Sequence, residues 1–193
     1  VQAIKEADLR IGQTVAVFGA GPIGLLIILA AKAAGASKII ALDLSESRLE
    51  KAKAVGATHI INPGEQNPIQ AIQQIIPEGA DVTFEAAGAE STFHQSIKAT
   101  KPRGVVVIVS LFNGPVRFNP MFLTISGVRI TSSAAYEPSS FQTAIDLIAS
   151  GAINAKSIIT NRIELDHIVE AGFQALTNDK SQSKILVKLS GES

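Results

Sequence analysis

The chain predicts an α/β fold: a doubly wound, six-stranded parallel sheet with a helical and strand appendage at its C-terminal end. Three observations carry this. Short apolar runs alternate with helix-length stretches along most of the 193 residues, the rhythm of βαβ units. The run 105–109, Val-Val-Val-Ile-Val, is unbroken, as in a strand covered on both faces. A glycine-rich turn, Gly19-Ala-Gly21-Pro-Ile-Gly24, joins the first apolar run to the first long helix.

Taken in order, residues 3–9 are helical in character, and 11–13 turn into a first strand at 15–18. The helix that follows runs through 25–34 and stops at Gly35, a C′ residue. A second strand spans 38–43. Ser45 is placed to N-cap a helix over 46–55, which ends at Gly56. Residues 58–61 form a short third strand closed by Asn62-Pro-Gly64, and Ile69, Ile72, Ile75 and Ile76 share one face of a helix over 66–76. The fourth strand is 81–87, with a turn at Gly88 into a helix over 90–99. Residues 101–104 read as a turn, 105–109 as the fifth strand, and 128–133 as the sixth after a short helix near 121–125. Beyond Tyr136 the pattern changes: a helix over 139–149 stopping at Gly151, irregular chain over 154–162, a helix over 165–177 and a final strand at 184–189. The expected division is a dinucleotide-binding Rossmann domain at 1–136 and a C-terminal segment at 137–193.

Composition narrows the function. Hydrophobic residues make up 46% and charged residues 18%, the balance of a folded globular chain. Seventeen basic and seventeen acidic residues cancel, which argues against a nucleic-acid or anionic-membrane partner. The apolar stretch 15–31 contains three glycines and a proline and divides into strand, turn and helix, not a membrane span. There is no Cys, so no disulfide and no thiolate ligand or nucleophile, which fits a cytoplasmic protein. The chain opens at Val1 without Met and shows no signal peptide, and is expected to be a processed or excised piece.

The turn at 19–24 carries the chemistry. Gly19 permits the tight strand-to-helix turn, Gly21 lets the backbone approach a pyrophosphate, and Gly24 lets the helix lie close on the strand. Pro22 falls where a missing N–H costs nothing. The free N–H groups and the positive dipole end of the helix make an anion site. Asp43 lies 19 residues after Gly24, near the spacing of a ribose-binding acid. A 2′-phosphate beside Asp43 would meet a like charge, costing about 1–4 kcal/mol at roughly 4 Å, so NAD is favoured over NADP. Arg48 tempers this, since a guanidinium can bind a phosphate; the alternative is that it pairs with Asp43 or Glu50, or covers the adenine. The competing reading is that the glycines only permit tight packing and Asp43 caps the next helix.

Strand ends in such a sheet face the ligand crevice, which singles out Glu85, Ala86, Ala87 and Gly88, then Ser110, then Ser133 and Ala134. Small residues there let a cofactor lie across the sheet; each alone is equally explained by packing. Lys184 is a candidate for the pyrophosphate, or a solvated strand-end lysine. His59, His94 and His167 are isolated and lack metal-ligand spacing. Tyr136 has no Lys four residues on, so a Tyr-x-x-x-Lys oxidoreductase is excluded. The residues themselves display no acid–base or nucleophile constellation.

The stretches 13–26 (QTVAVFGAGPIGLL), 43–57 (DLSESRLEKAKAVGA) and 180–188 (KSQSKILVK) resemble the medium-chain, zinc-dependent alcohol dehydrogenases, in their 2,3-butanediol and sorbitol dehydrogenase branch. The resemblance covers essentially the whole chain. It implies hydride transfer between NAD and a secondary alcohol or ketone. By motif position Gly21, Pro22 and Ile23 lie at the pyrophosphate, Asp43 and Arg48 at the adenosine, Ser110, Ser133 and Ala134 near the nicotinamide, and Lys184 at the pyrophosphate. It further implies a homodimer or tetramer joined along the sheet edge at 128–133. The family's zinc is held by Cys, His and Glu of a preceding domain, and nothing of that domain stands before Val1. The expected chain is therefore a cofactor-binding part that holds NAD but does not catalyse alone, with residues 137–193 packing partly on the absent domain. Two other classes compete: an NAD(H)-sensing module without catalysis, and an S-adenosylmethionine methyltransferase, which shares the glycine loop and acid but not six parallel strands.

Overall fold

The computed structural model describes residues 1–189. Six parallel strands form one sheet in the order β3-β2-β1-β4-β5-β6. These are β1 (Thr14–Phe18), β2 (Lys38–Leu42), β3 (His59–Ile61), β4 (Ala80–Glu85), β5 (Thr100–Ile108) and β6 (Arg129–Ser132). Between them run α2 (Pro22–Ala33), α3 (Glu46–Val55), α4 (Pro68–Ile75), α5 (Glu90–Ala99) and α6 (Met121–Ser126), with a short α1 (Gln2–Glu6) ahead of β1. Strand order reverses between β1 and β4, so the connections leaving their C-terminal ends diverge and leave a crevice there.

Side chains alternate across each strand, and both faces are filled. Val15, Val17 and Phe84 pack with Leu25 and Ile28 of α2 and Ala52 of α3 on one side. Ala16, Phe18 and Ile40 pack with Ala71 and Ile72 of α4 on the other. Phe93 and Ile97 of α5 extend that second layer over Val106 and Val128. This two-sided burial is why β1, β2 and β5 read as unbroken apolar runs and not as alternating ones.

The structure departs from the sequence reading in local detail. Ser45 occupies the N-cap position of α3, but its hydroxyl meets that of Ser47 and makes no cap bond. The side-chain cap belongs instead to Asn67, whose Oδ1 accepts the N–H groups of Ile69 (3.0 Å) and Gln70 (3.2 Å) at the start of α4. Residues 101–104 are taken into β5 as an irregularity: the pairing steps from Ala80↔Thr100 to Val82↔Val105, with Arg103 at φ 63°.

After α7 (Pro138–Ala149), the chain expected to be irregular includes a 3-10 turn, Ala155–Ile158, and a strand, β7 (Ile159–Glu164). The polar sequence Thr-Asn-Arg hides that strand. It pairs in parallel with β8 (Lys184–Lys188) as a separate two-stranded sheet. The helix expected over 165–177 is three windings in succession: a 3-10 turn at Leu165–His167, a π-helix at Ile168–Gln174, and α8 (Ala175–Asn178). Ile153 and Ile158 join the same buried cluster as Val15, and Lys51 of α3 donates to the Ser181 carbonyl and the Ser183 hydroxyl, so this segment is tied to the main sheet. No helix among the described residues is long and apolar enough to cross a membrane.

Candidate dinucleotide site

The turn after β1 is built from three glycines with three different environments. Gly19 has φ 101°, and a Cβ there would lie 2.9 Å from the Ala86 carbonyl carbon at the end of β4. Its N–H donates to the Leu42 carbonyl (2.8 Å), while Ala86 N–H donates to Phe18 (2.8 Å), so the ends of β2, β1 and β4 are laced together below the turn. A Cβ on Gly24 would fall 1.9 Å from the Gly19 carbonyl oxygen; glycine is what lets α2 lie against the turn. Around Gly21, the N-cap of α2, nothing stands within 4 Å of a Cβ. The N–H groups of the first turn have no helical partners, no acidic residue stands in that turn, and Pro22 sits at the helix start without loss. The result is a positive helix end behind an open, side-chain-free cradle.

Asp43 follows β2 and turns toward this cradle. Its Oδ2 accepts the Ala20 N–H (2.8 Å) and its Oδ1 the Ser45 N–H (2.9 Å). Arg48 Nη1 stands 3.7 Å from Oδ2. A carboxylate offers about four lone-pair directions, so two backbone donors fix its orientation and leave capacity for hydroxyl groups.

Two cavities flank the turn. The smaller, about 420 Å³, is lined by Gly19, Asp43, Arg48, Pro63, Thr92 and Lys180, among others. The larger, about 700 Å³, lies over the ends of β5 and β6 and includes Ile23, Ser110, Ser133, Ala134, Tyr136 and Phe141 in its wall. The rings of Tyr136 and Phe141 stack at 5.7 Å and 18°. Seven of the candidate residues thus take two groupings: Gly19, Asp43 and Arg48 on one side, Ile23, Ser110, Ser133 and Ala134 on the other, with Gly21 between them in the turn. Pro22, Gly24 and Ala86 shape the turn without lining either cavity. Lys184 begins β8 opposite Ile159 and lines neither cavity.

One contribution escaped the sequence reading, and another was located by it without its role. Lys180 reaches the smaller cavity from the turn between α8 and β8. There Asp179 accepts from Ser181 N–H (2.8 Å) and Gln182 Nε2 (3.0 Å), bonds that hold its carboxyl at about 2. Burial pushes the Lys51 ammonium down beside this turn, against the opposing pull of Asp179. Glu85, placed at the crevice by its strand-end position alone, is fully buried at the end of β4 and ties that strand to the loop after β5. A charged residue closing an otherwise apolar strand was the available signal.

A metal centre is a different matter. His59 bonds Thr58 (2.9 Å) and His94 lies 3.6 Å from Glu90, and no group of three or more His, Asp or Glu among the described residues is arranged to hold an ion. Among the described residues, the donor set of a zinc site is therefore not assembled.

Comparison with known proteins matches residues 22–150 to a family model described as zinc-binding dehydrogenase. (R,R)-butanediol dehydrogenase of Bacillus subtilis is 37% identical over 96% of this chain, which covers 54% of that protein. A crystal structure of 2R,3R-butanediol dehydrogenase from Bacillus subtilis superposes with a TM-score of 0.93 at 36% identity, covering 98% of this chain and 54% of the other. A putative zinc-binding dehydrogenase from Sinorhizobium meliloti, solved bound to NADP, gives 0.88 at 30% identity, covering 96% and 55%. The chain spans about half the length of the curated relatives it matches.

Proposed function

The chain belongs to the zinc-binding dehydrogenase family, and on that premise we propose that it is the dinucleotide-holding part of an alcohol or polyol dehydrogenase. The observation that carries this is the open Gly21 cradle at the start of α2 beside a backbone-anchored Asp43. In this reading the first-turn N–H groups of α2 hold the pyrophosphate and Asp43 accepts from the adenosine ribose hydroxyls. The nicotinamide lies in the larger cavity against Ile23, Ser110, Ser133 and Ala134. When bound, the nicotinamide supplies the hydride acceptor for oxidation of a secondary alcohol. The chain's own residues orient that ring and keep its face against an apolar wall. No group of three or more His, Asp or Glu among the described residues is arranged to hold the zinc of that family. Lys180, with Arg48, is the cation on the adenosine side, whereas Lys184 begins β8 opposite Ile159 and lines neither cavity.

Asp43 makes NAD the preferred cofactor over NADP, because a 2′-phosphate would face its carboxylate; Arg48 and Lys180 narrow the gap. Calorimetric titration tests this. NAD is expected to bind more tightly than NADP, and Asp43→Ala to weaken NAD about tenfold while bringing the two affinities together. Absence of binding by either dinucleotide at millimolar concentration would refute the reading. We also propose that two copies join along the open edge at β6, where Met121, Phe122 and Ile125 of α6 stand exposed.

A further inference from the structure

We infer that Glu85 turns Ser110 into an acceptor-only contact in the larger cavity, so that this wall selects a ligand group that donates a hydrogen bond. The inference rests on the dinucleotide reading, under which that group is the carboxamide nitrogen of the nicotinamide.

Glu85 is completely buried, and four donors converge on its carboxylate. Oε1 accepts from the N–H groups of Ala87 (3.1 Å) and Gly88 (3.0 Å) and from the Thr92 hydroxyl (2.7 Å). Oε2 accepts from the Ser110 hydroxyl. A serine has one proton and two lone pairs. With the proton committed to Glu85, only the lone pairs of Ser110 remain for the cavity whose wall it forms. The rest of that wall around Ser110 is largely apolar, including Ile23, Leu26, Ile108 and Leu111. A ring substituent without a donor leaves the serine oxygen unpaired there, which is the costly outcome for a polar group removed from water. An –NH2 group satisfies it. Glu85 is thus a positioning residue: it acts through Ser110 and does not itself touch the ligand.

The two backbone donors on Oε1 make the device testable. In Glu85→Gln the side-chain oxygen must face Ala87 and Gly88 N–H, which places the amide nitrogen at Ser110. The amide then donates to the serine, and the hydroxyl proton is released toward the cavity. The polarity of Ser110 reverses without any change in shape.

The experiment compares calorimetric affinities of the chain for NAD and for 3-acetylpyridine adenine dinucleotide, in which a methyl group replaces the –NH2 and the charge is unchanged. NAD is expected to bind about tenfold more tightly. Ser110→Ala brings the ratio close to one, Ser110→Thr retains it, and Glu85→Gln brings it to one or below. A purely structural role for Glu85 would weaken both ligands together and leave the ratio unchanged, overturning the inference. So would a ratio near one in the unsubstituted chain, or a ratio unmoved by Ser110→Ala, a surface-facing change that carries the test even if Glu85→Gln does not fold. If neither dinucleotide binds, the cofactor reading itself falls, an outcome distinct from binding without discrimination.

Discussion

Gly21 and Gly24 sit three residues apart in one turn yet answer to different constraints. A methyl group on Gly24 would meet the Gly19 carbonyl oxygen at 1.9 Å, whereas one on Gly21 would meet nothing within 4 Å. Gly24→Ala is therefore expected to cost about 1–3 kcal/mol of stability through overpacking, measured by urea unfolding. Gly21→Ala, at φ −70° and ψ −174°, is expected to leave stability within about 1 kcal/mol while sharply weakening NAD binding. Equal loss of stability in both variants, or unaltered NAD affinity in Gly21→Ala, would contradict the separate roles. Both glycines and Asp43 stood out in the sequence because the motif that holds them is spaced along one continuous stretch. The Glu85–Ser110 contact was not, since it joins residues 25 apart across two strand ends and depends on burial. Lys180 was hidden for the same reason: only the fold of the turn after α8 brings it to Asp43 and Arg48.

At the scale of elements, the N-terminal ends of the strands are tied by Asp81. Its Oδ2 accepts the Thr14 N–H (2.8 Å) and hydroxyl (2.7 Å), and its Oδ1 lies 2.5 Å from Lys101 Nζ. Burial by itself would raise the Asp81 carboxyl, but the bonds from Lys101 and Thr14 outweigh it and hold the group below its ordinary value. A depressed folded-state value means that the contribution to stability is complete above the unfolded value, about pH 4, and is lost as pH falls below it. The Lys101 ammonium is raised by its bond to Asp81, so its share persists until strongly alkaline pH. Unfolding measurements between pH 7 and pH 3 should show a loss of stability that Asp81→Asn lessens; a parallel acid profile in the variant would contradict this. Strands buried on both faces announced themselves, and all six of the main sheet were found. β7 did not, because Thr160, Asn161 and Arg162 are exposed or half-exposed and only Ile163 is buried. Nor does sequence spacing distinguish the π-winding at Ile168–Gln174 from an α-helix, since the two differ in hydrogen-bond partner and not in residue type.

On the scale of the whole molecule, the arrangement is a doubly wound sheet with an open glycine turn at its crevice and apolar surface left over. The sheet ends at β6, and Met121, Phe122 and Ile125 lie exposed beside it. Light scattering is expected to find a dimer that Phe122→Asp with Ile125→Asp converts to monomer; a wild-type monomer, or a dimer indifferent to both changes, would rule out that edge. A second stripe, Phe141, Ile145 and Ile148, recurs at helical spacing on α7. The fold class was readable from the sequence; a substrate was not, and the chain spans about half the length of its relatives. The most direct test of the account is a crystal structure of the chain grown with NAD. The pyrophosphate should lie on the first-turn N–H groups of α2 with Gly21 beneath it, the adenosine ribose hydroxyls on Asp43, and the nicotinamide in the cavity walled by Ser110 and Ser133. A dinucleotide bound elsewhere on the surface, or lying in the crevice with its ribose away from Asp43, would contradict it.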